Sequence, residues 1–311
     1  MSRQFSFDLF RLNIEDIDDL LSVGNVRRLR GDDAIREVLE AATAPDRDQM
    51  QLTRTALFKW SLRNYLNLKE LCDGREVVHL VLARSLLEKH GEIVTDEGLD
   101  YGTSSAMPPL ASTAVCLFDL SRHLVAIEHT GELSQTAWKD FIEKILAAAA
   151  SHMELWSTIQ LEPVPEQNGI LGLFKSFDRV TRMKVTLRIP NPELNRYTQE
   201  LYKDLSNSGV REITQDMKNP NGMSKAEDAR PYASAVLAEQ GYKKGEVYFE
   251  GVREDKFEQA SSGSTAARGR VKGLRDFVRG LKANAKTKEA SRALNAIVEE
   301  IDRLHPAPEN E

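Results

Sequence analysis

Nine cationic side chains crowd one short window of an otherwise acidic chain: Arg268, Arg270, Lys272, Arg275, Arg279, Lys282, Lys286, Lys288 and Arg292. Only Asp276 and Glu289 oppose them, so the window carries +7; the 311-residue chain totals −6, which leaves −13 on the remainder. Guanidinium and ammonium groups gathered in this way bind phosphate, because a local positive field draws polyanions even to an anionic protein. Val271, Leu274, Val278, Leu281 and Ala285 recur at spacings of three and four. That periodicity predicts a helix whose apolar stripe packs on the body or on a partner. Lys272, Arg275, Arg279, Lys282 and Lys286 follow one residue later and form a second stripe about 100° around the axis. If all five met a phosphate backbone, log K against log salt would fall with a slope of about −4 to −5. A solvated helix face that meets the acidic remainder in intramolecular ion pairs has the same composition.

Arg182, Lys184 and Arg188, with Arg179 just upstream, make a second cationic set. They alternate with Met183, Val185, Leu187 and Ile189, the pattern of a strand with one buried face. A plain solvent-facing sheet looks alike. Sheet platforms for single strands add exposed aromatics on which bases stack, and Phe174 and Phe177 lie off the polar face, which weighs against such a platform. The candidate nucleic-acid-binding residues are therefore Lys272, Arg275, Arg279, Lys282, Lys286, Arg182, Lys184 and Arg188.

Enzymatic signatures are weak. Gly169-Ile-Leu-Gly-Leu-Phe-Lys-Ser176 lacks the spacing of a phosphate loop, and Gly263 to Gly269 does not follow an apolar strand. His123 and His129 flank Val125 and Ile127 with no cysteine nearby, which is no zinc pattern. Glu250, Glu254 and Lys256 come nearest to a carboxylate-lysine cluster, and solvated hairpin charge explains them. No catalytic residue, cofactor or metal site is nominated. A nuclease whose carboxylates converge only in the fold stays open as an alternative.

The elements that position these cations follow from patterning. Phe5, Phe7 and Leu9 alternate with polar residues as an opening strand. Helices are expected over 16–21 and 32–42, and a strand over 53–65 with Trp60 in the core. Val77 to Arg84 and Gly91 to Thr95 are expected to pair as a hairpin, and Tyr101 to Pro109 to form a loop. Ala114 to Phe118 and His123 to Glu128 make the clearest hairpin. Ser134 caps a helix carrying Trp138, Phe141, Ile142, Ile145 and Leu146. Leu161 to Gly169, with two prolines, reads as a boundary loop. Beyond it come strands over 182–189, 210–216, 246–251 and 256–260 and helices over 192–205 and through Val236. Gln259 to Ala267 has linker composition. The expected fold class is α+β: an antiparallel meander over 1–161, a ferredoxin-like strand/helix alternation over 170–260, and a basic helical region over 268–304.

At 41% hydrophobic and 29% charged, the chain can bury a core and is neither fibrous nor disordered. Cys72 and Cys116 form no framework, which favours a reduced cytoplasm. The opening residues lack a signal peptide's apolar stretch, and no run is long enough to span a membrane.

Three stretches, Arg3 to Ile14, Ala114 to Glu128 and Arg182 to Pro192, together resemble a domain-of-unknown-function family of bacteria and phages. The resemblance implies accessory genes and phage defence, and with them nucleic acid or partner proteins. The expectation is a cytoplasmic, non-enzymatic or regulatory protein that contacts DNA or RNA through its C-terminal helix. An interaction subunit or homo-oligomer joined by the apolar stripe is the alternative.

Overall fold

The computed structural model describes residues 4–16, 27–29, 31–105, 107–166, 169–188, 210, 212–263, 265–281 and 288–306. Two antiparallel sheets organise them. The first is built on β1 (Phe5–Asp16), β2 (Gln49–Leu52), β3 (Ala56–Asn67), β4 (Val77–Thr95), β5 (Gly98–Ser105), β6 (Ala111–Asp119), β7 (Leu124–Glu128) and β8 (Ser157–Pro163). The chain's β6–β7 hairpin pairs Cys116 with Ile127 and Phe118 with Val125, as the alternating apolar runs require.

α1 (Gly31–Ala41) and α2 (Gln135–His152) cover one face of this sheet. Ser134 stands at the N-cap of α2 with extended backbone. Trp60 is buried and its ring stacks on Phe141 at 5.0 Å, while Trp138 meets Phe10 edge-on at 5.0 Å. Such aromatic pairs add about 1 kcal/mol each beyond area burial.

The second sheet follows α3 (Gly169–Ser176) and contains β9 (Arg179–Arg188), β10 (Glu212–Lys218), β11 (Val247–Arg253) and β12 (Lys256–Ser262), in the order β10-β9-β11-β12. α3 and α4 (Arg230–Glu239) cover one face, packing Ile170, Phe174, Ala235 and Val236 on Met183, Val185, Leu187 and Phe249. Gly251 sits where β9 bulges against β11, with Thr181 as the extra residue, and a Cβ there would run into the Arg179 carbonyl. The class is α+β.

The chain's end returns to the first sheet. β13 (Arg268–Val271) pairs with β1, putting Gly269 opposite Phe7. After it come α5 (Arg275–Arg279) and α6 (Lys288–Leu304). Val278, Leu281, Leu294, Ile297 and Ile301 cover the sheet's other face at Phe5, Phe7, Leu117 and Leu124. That explains why all five residues of β7 are buried: it has a helical layer on both sides.

Several expectations are corrected. Val77–Thr95 is one strand rather than a hairpin, and its outer part from Glu88 pairs with β5, so Tyr101–Ser105 is strand rather than loop. The turn falls at Asp96-Glu97, where Thr95 pairs with Gly98. Leu161–Pro163 belongs to β8, and Gln259–Ser262 to β12 rather than a linker. Asp16 closes β1; residues 17–21 and the helix expected over 192–205 lie outside the described residues.

Candidate nucleic-acid interface

The C-terminal cations do not form one helical stripe. Arg268 and Arg270 belong to β13, Lys272 to the turn after it, and Arg275 and Arg279 to a helix of five residues. Lys282 and Lys286 lie outside the described residues. Arg268 Nε sits 2.8 Å from Asp8 Oδ1. Arg275 Nε and Arg279 Nε donate to the Glu128 carboxylate at 2.8 and 2.9 Å, and Arg279 also donates to the Thr113 carbonyl at 3.0 Å. Glu128 is 3% exposed at the end of β7. A buried carboxylate needs counter-charge, and two guanidinium groups supply it. Of the five C-terminal candidates, Arg275 and Arg279 are thus tied inward, while Lys272 is exposed with no ion-pair partner among the described residues. The apolar stripe is likewise spent inside the molecule, because Val278 and Leu281 are buried.

The β9 candidates divide differently. Arg188 is buried rather than solvent-facing: it lies 3.4 Å from Glu162 and 3.6 Å from Glu15, at the junction with the first sheet. It is corrected from a surface contact to a structural cation. Arg182 and Lys184 do occupy the face of the second sheet opposite its helices, where directly paired residues share a side. Register puts Lys184 beside Asp216 and Tyr248, and Arg182 beside Lys218 and Glu250. One pair further, Arg179 and Phe257 both oppose Val252.

Shallow depressions run along this face, lined by Lys184, Thr186 and Tyr248 at one end and by Arg179, Lys218 and Phe257 at the other. Phe257 is 63% exposed and Tyr248 half-buried. The pairing register separates the two rings by roughly 14 Å, from a rise of about 3.4 Å per residue and strands about 4.8 Å apart. Arg182 lies between them by register: it donates to Asp216 at 2.8 and 3.0 Å and to Glu250 at 3.1 Å, with its guanidinium 5.8 Å from the Tyr248 ring centre.

Those bonds hold the Asp216 carboxyl down to about 2, mainly through Arg182. Glu250 is also lowered, first by the Tyr248 hydroxyl, which donates to it at 2.7 Å. Arg179 and Lys184 have no ion-pair partner among the described residues. They are the cations available to an outside phosphate.

Tyr248 and Phe257 were missed as candidates, although the signal was present. Val247, Phe249 and Gly251 alternate with Tyr248, Glu250 and Val252, so an inward Phe249 already turns Tyr248 outward. Pairing across the Glu254-Asp255 turn then brings Phe257 opposite Val252.

Other reactive groups are held quiet. Burial pushes Cys72 up to about 11 and Cys116 up to about 12, so neither is a thiolate near neutrality. Burial also lowers Lys243 to about 8, where its ammonium donates to the Gly245 carbonyl at 2.9 Å. Among the described residues no three of His, Cys, Asp and Glu gather to hold a metal ion, and the nuclease alternative draws no support from this geometry. No helix among them is long and apolar enough to cross a membrane.

No curated protein matches the chain. A family model described as a domain of unknown function, DUF4747, matches residues 89–266, more than half of the sequence. The matched stretch runs from the outer part of β4 through the whole of the second sheet; it assigns no activity and no antiviral role. By that match the chain belongs to the DUF4747 family.

Proposed function

We propose that this protein binds single-stranded nucleic acid across the uncovered face of the second sheet. One observation carries the reading: two aromatic rings, Tyr248 and Phe257, stand on the same face as Arg179 and Lys184, cations without an ion-pair partner among the described residues. Rings accept stacked bases of any identity, and cations between them track the backbone. The carboxylates Asp216 and Glu250 share the face and stay ionised, so net attraction is modest and stacking supplies most of the affinity. The C-terminal segment contributes long-range field rather than contacts, since Arg275 and Arg279 already serve Glu128.

Fluorescence anisotropy with labelled DNA and RNA single strands, at two salt concentrations, tests this reading. Tyr248→Ala and Phe257→Ala should each weaken binding about 5- to 150-fold, the equivalent of about 1–3 kcal/mol per stacked base. Charge reversal at Lys184 should flatten the salt slope by about 0.7 for the lost phosphate contact. Absence of binding by the wild-type chain, or full binding by the Tyr248→Ala, Phe257→Ala double variant, overturns it.

A further inference from the structure

Midway between Tyr248 and Phe257, the uncovered face of the second sheet carries an acid and an amide. Glu250 stands two residues along β11 from Tyr248, and directly across from it on β12 is Gln259, itself two residues from Phe257. Directly opposed residues hold their Cβ atoms about 5 Å apart, so the Glu250–Gln259 pair lies on the line from one ring to the other. A carboxylate in that place repels a backbone phosphate. Against the edge of a base it is a hydrogen-bond acceptor.

The two carboxylates of this face are engaged differently. Asp216 gives both oxygens to Arg182, accepting from Nε at 2.8 Å and from Nη2 at 3.0 Å. Glu250 is held by one oxygen alone: Oε1 accepts from the Tyr248 hydroxyl at 2.7 Å and from Arg182 Nη1 at 3.1 Å. Its Oε2 accepts no hydrogen bond among the described residues and is not sealed from solvent. An ionised group clamped by two donors with its second oxygen open is a preorganised acceptor. Gln259 is exposed, and its side-chain amide has no hydrogen-bond partner among the described residues. It brings a donor and an acceptor to the same spot.

We propose that Glu250 and Gln259 select guanine at the position between the two rings, an assignment that rests on the single-strand reading above and adds a base preference to it. The pairing edge of guanine runs acceptor, donor, donor: O6, N1–H and the N2 amine. The Gln259 amide donates to O6, and Glu250 Oε2 accepts from N1–H and the amine. The other bases mismatch this pair. Adenine and cytosine turn an unprotonated ring nitrogen toward the carboxylate. Uracil and thymine flank their one N–H with two carbonyls, and the second of these meets the carboxylate. In each case two lone-pair atoms are brought together with no proton between them, which costs more than a bond merely absent. The rings stack any base, so the preference arises in the row between them.

Anisotropy on the full chain reads the outcome with labelled single strands of about 12 nucleotides: one all thymine, one with isolated guanines, one with isolated cytosines. Isolation keeps the guanines from associating with one another. The guanine strand should bind about 5- to 150-fold tighter than the other two, the discrimination of one good bidentate contact. Glu250→Gln keeps the side chain's shape and removes the anion, and it should bring that ratio below about threefold. Equal wild-type binding of the three strands overturns this assignment and leaves the stacking reading in place. A guanine preference that survives the Glu250→Gln, Gln259→Ala double variant also overturns it, and binding of no strand overturns both. Should the variants misfold, inosine in place of guanine still decides on the wild type. Without the N2 amine, affinity should fall at least about threefold, and unchanged affinity overturns the proposal.

Discussion

Two regions of this molecule carry clustered cations, and they end in opposite situations. At the C-terminus, Arg275 and Arg279 face Glu128, which is buried at the end of β7 and largely shielded from solvent. On the second sheet, Lys184 faces solvent across a strand pair, and the nearby carboxylates Asp216 and Glu250 are already occupied by Arg182. Local charge density therefore misjudges availability. What decides it is whether a carboxylate nearby is buried: a buried one must recruit guanidinium groups, whereas an exposed one competes only weakly with salt and water.

Removing Glu128 breaks the contrast most directly. Glu128→Ala strips the counter-charge from two arginines and also leaves the Val115 amide, which donates to Glu128 at 3.2 Å, without that partner. The arginines are about a third exposed, so solvent moderates the loss. The expected destabilisation is about 3 kcal/mol, read as a lower urea midpoint. The freed guanidinium groups should at the same time raise salt-sensitive retention on a polyanion resin. A change below about 1 kcal/mol would mean that Glu128 does not organise the C-terminal cations.

The contrast also explains what the sequence could and could not reveal. The β6–β7 hairpin, β9 and α2 were legible because their periodicity is local: each alternation or three-four spacing is satisfied by residues within the same element. The helical region expected over 268–304 holds at 275–279 and 288–304 but gives way to a strand over 268–271, for a nonlocal reason. Val271, Leu274, Val278 and Leu281 do keep helical spacing, yet Gly269 lies under the ring of Phe7, and a Cβ there would run into it. That contact draws 268–271 into a strand beside β1, a pairing across more than 250 positions that no window of sequence displays. Gly273, at φ 79°, then turns the chain before α5. Arg188 shows the same limit. Its alternation with Leu187 placed it correctly on the strand, but only the fold brings Glu162 and Glu15 against it. Tyr248 and Phe257 were legible in principle and were missed because the aromatics of a single strand were considered, whereas a sheet face collects side chains from several.

A smaller effect sharpens the comparison between a buried lysine and an exposed one. Lys243 is 1% exposed, and burial lowers it to about 8 from the ordinary 10.5. Below pH 8 both folded and unfolded chains hold the proton, and the full burial penalty of the ammonium is present. Between about 8 and 10.5 the unfolded chain still holds a proton that the native chain has released, so native stability rises with pH through that window. Lys243→Met removes the ammonium while keeping the length of the side chain. Relative to wild type it should gain about 2 kcal/mol at pH 7, after loss of the bond to Gly245 is allowed for. The advantage should shrink toward nothing by pH 10.5. A pH-independent difference would show that Lys243 is not held in its strained charged form at neutrality.

The least consequential substitution is the most discriminating for function. Lys272 is the one C-terminal candidate that is described, exposed and without an ion-pair partner, so any direct phosphate contact by that segment would fall to it first. If nucleic acid lies on the second sheet, Lys272→Glu acts only through field, and at 0.15 M salt a field is largely screened beyond about 8 Å. Its stability should move by no more than about 0.5 kcal/mol. Its affinity for single strands should fall by less than about threefold, against the altered salt slope expected for Lys184→Glu. Thermal melting and anisotropy on the two variants side by side separate the readings. Should Lys272→Glu reduce both affinity and salt slope as much as Lys184→Glu does, the contact surface moves back to the carboxyl end, and Tyr248 and Phe257 become exposed aromatics with some other partner.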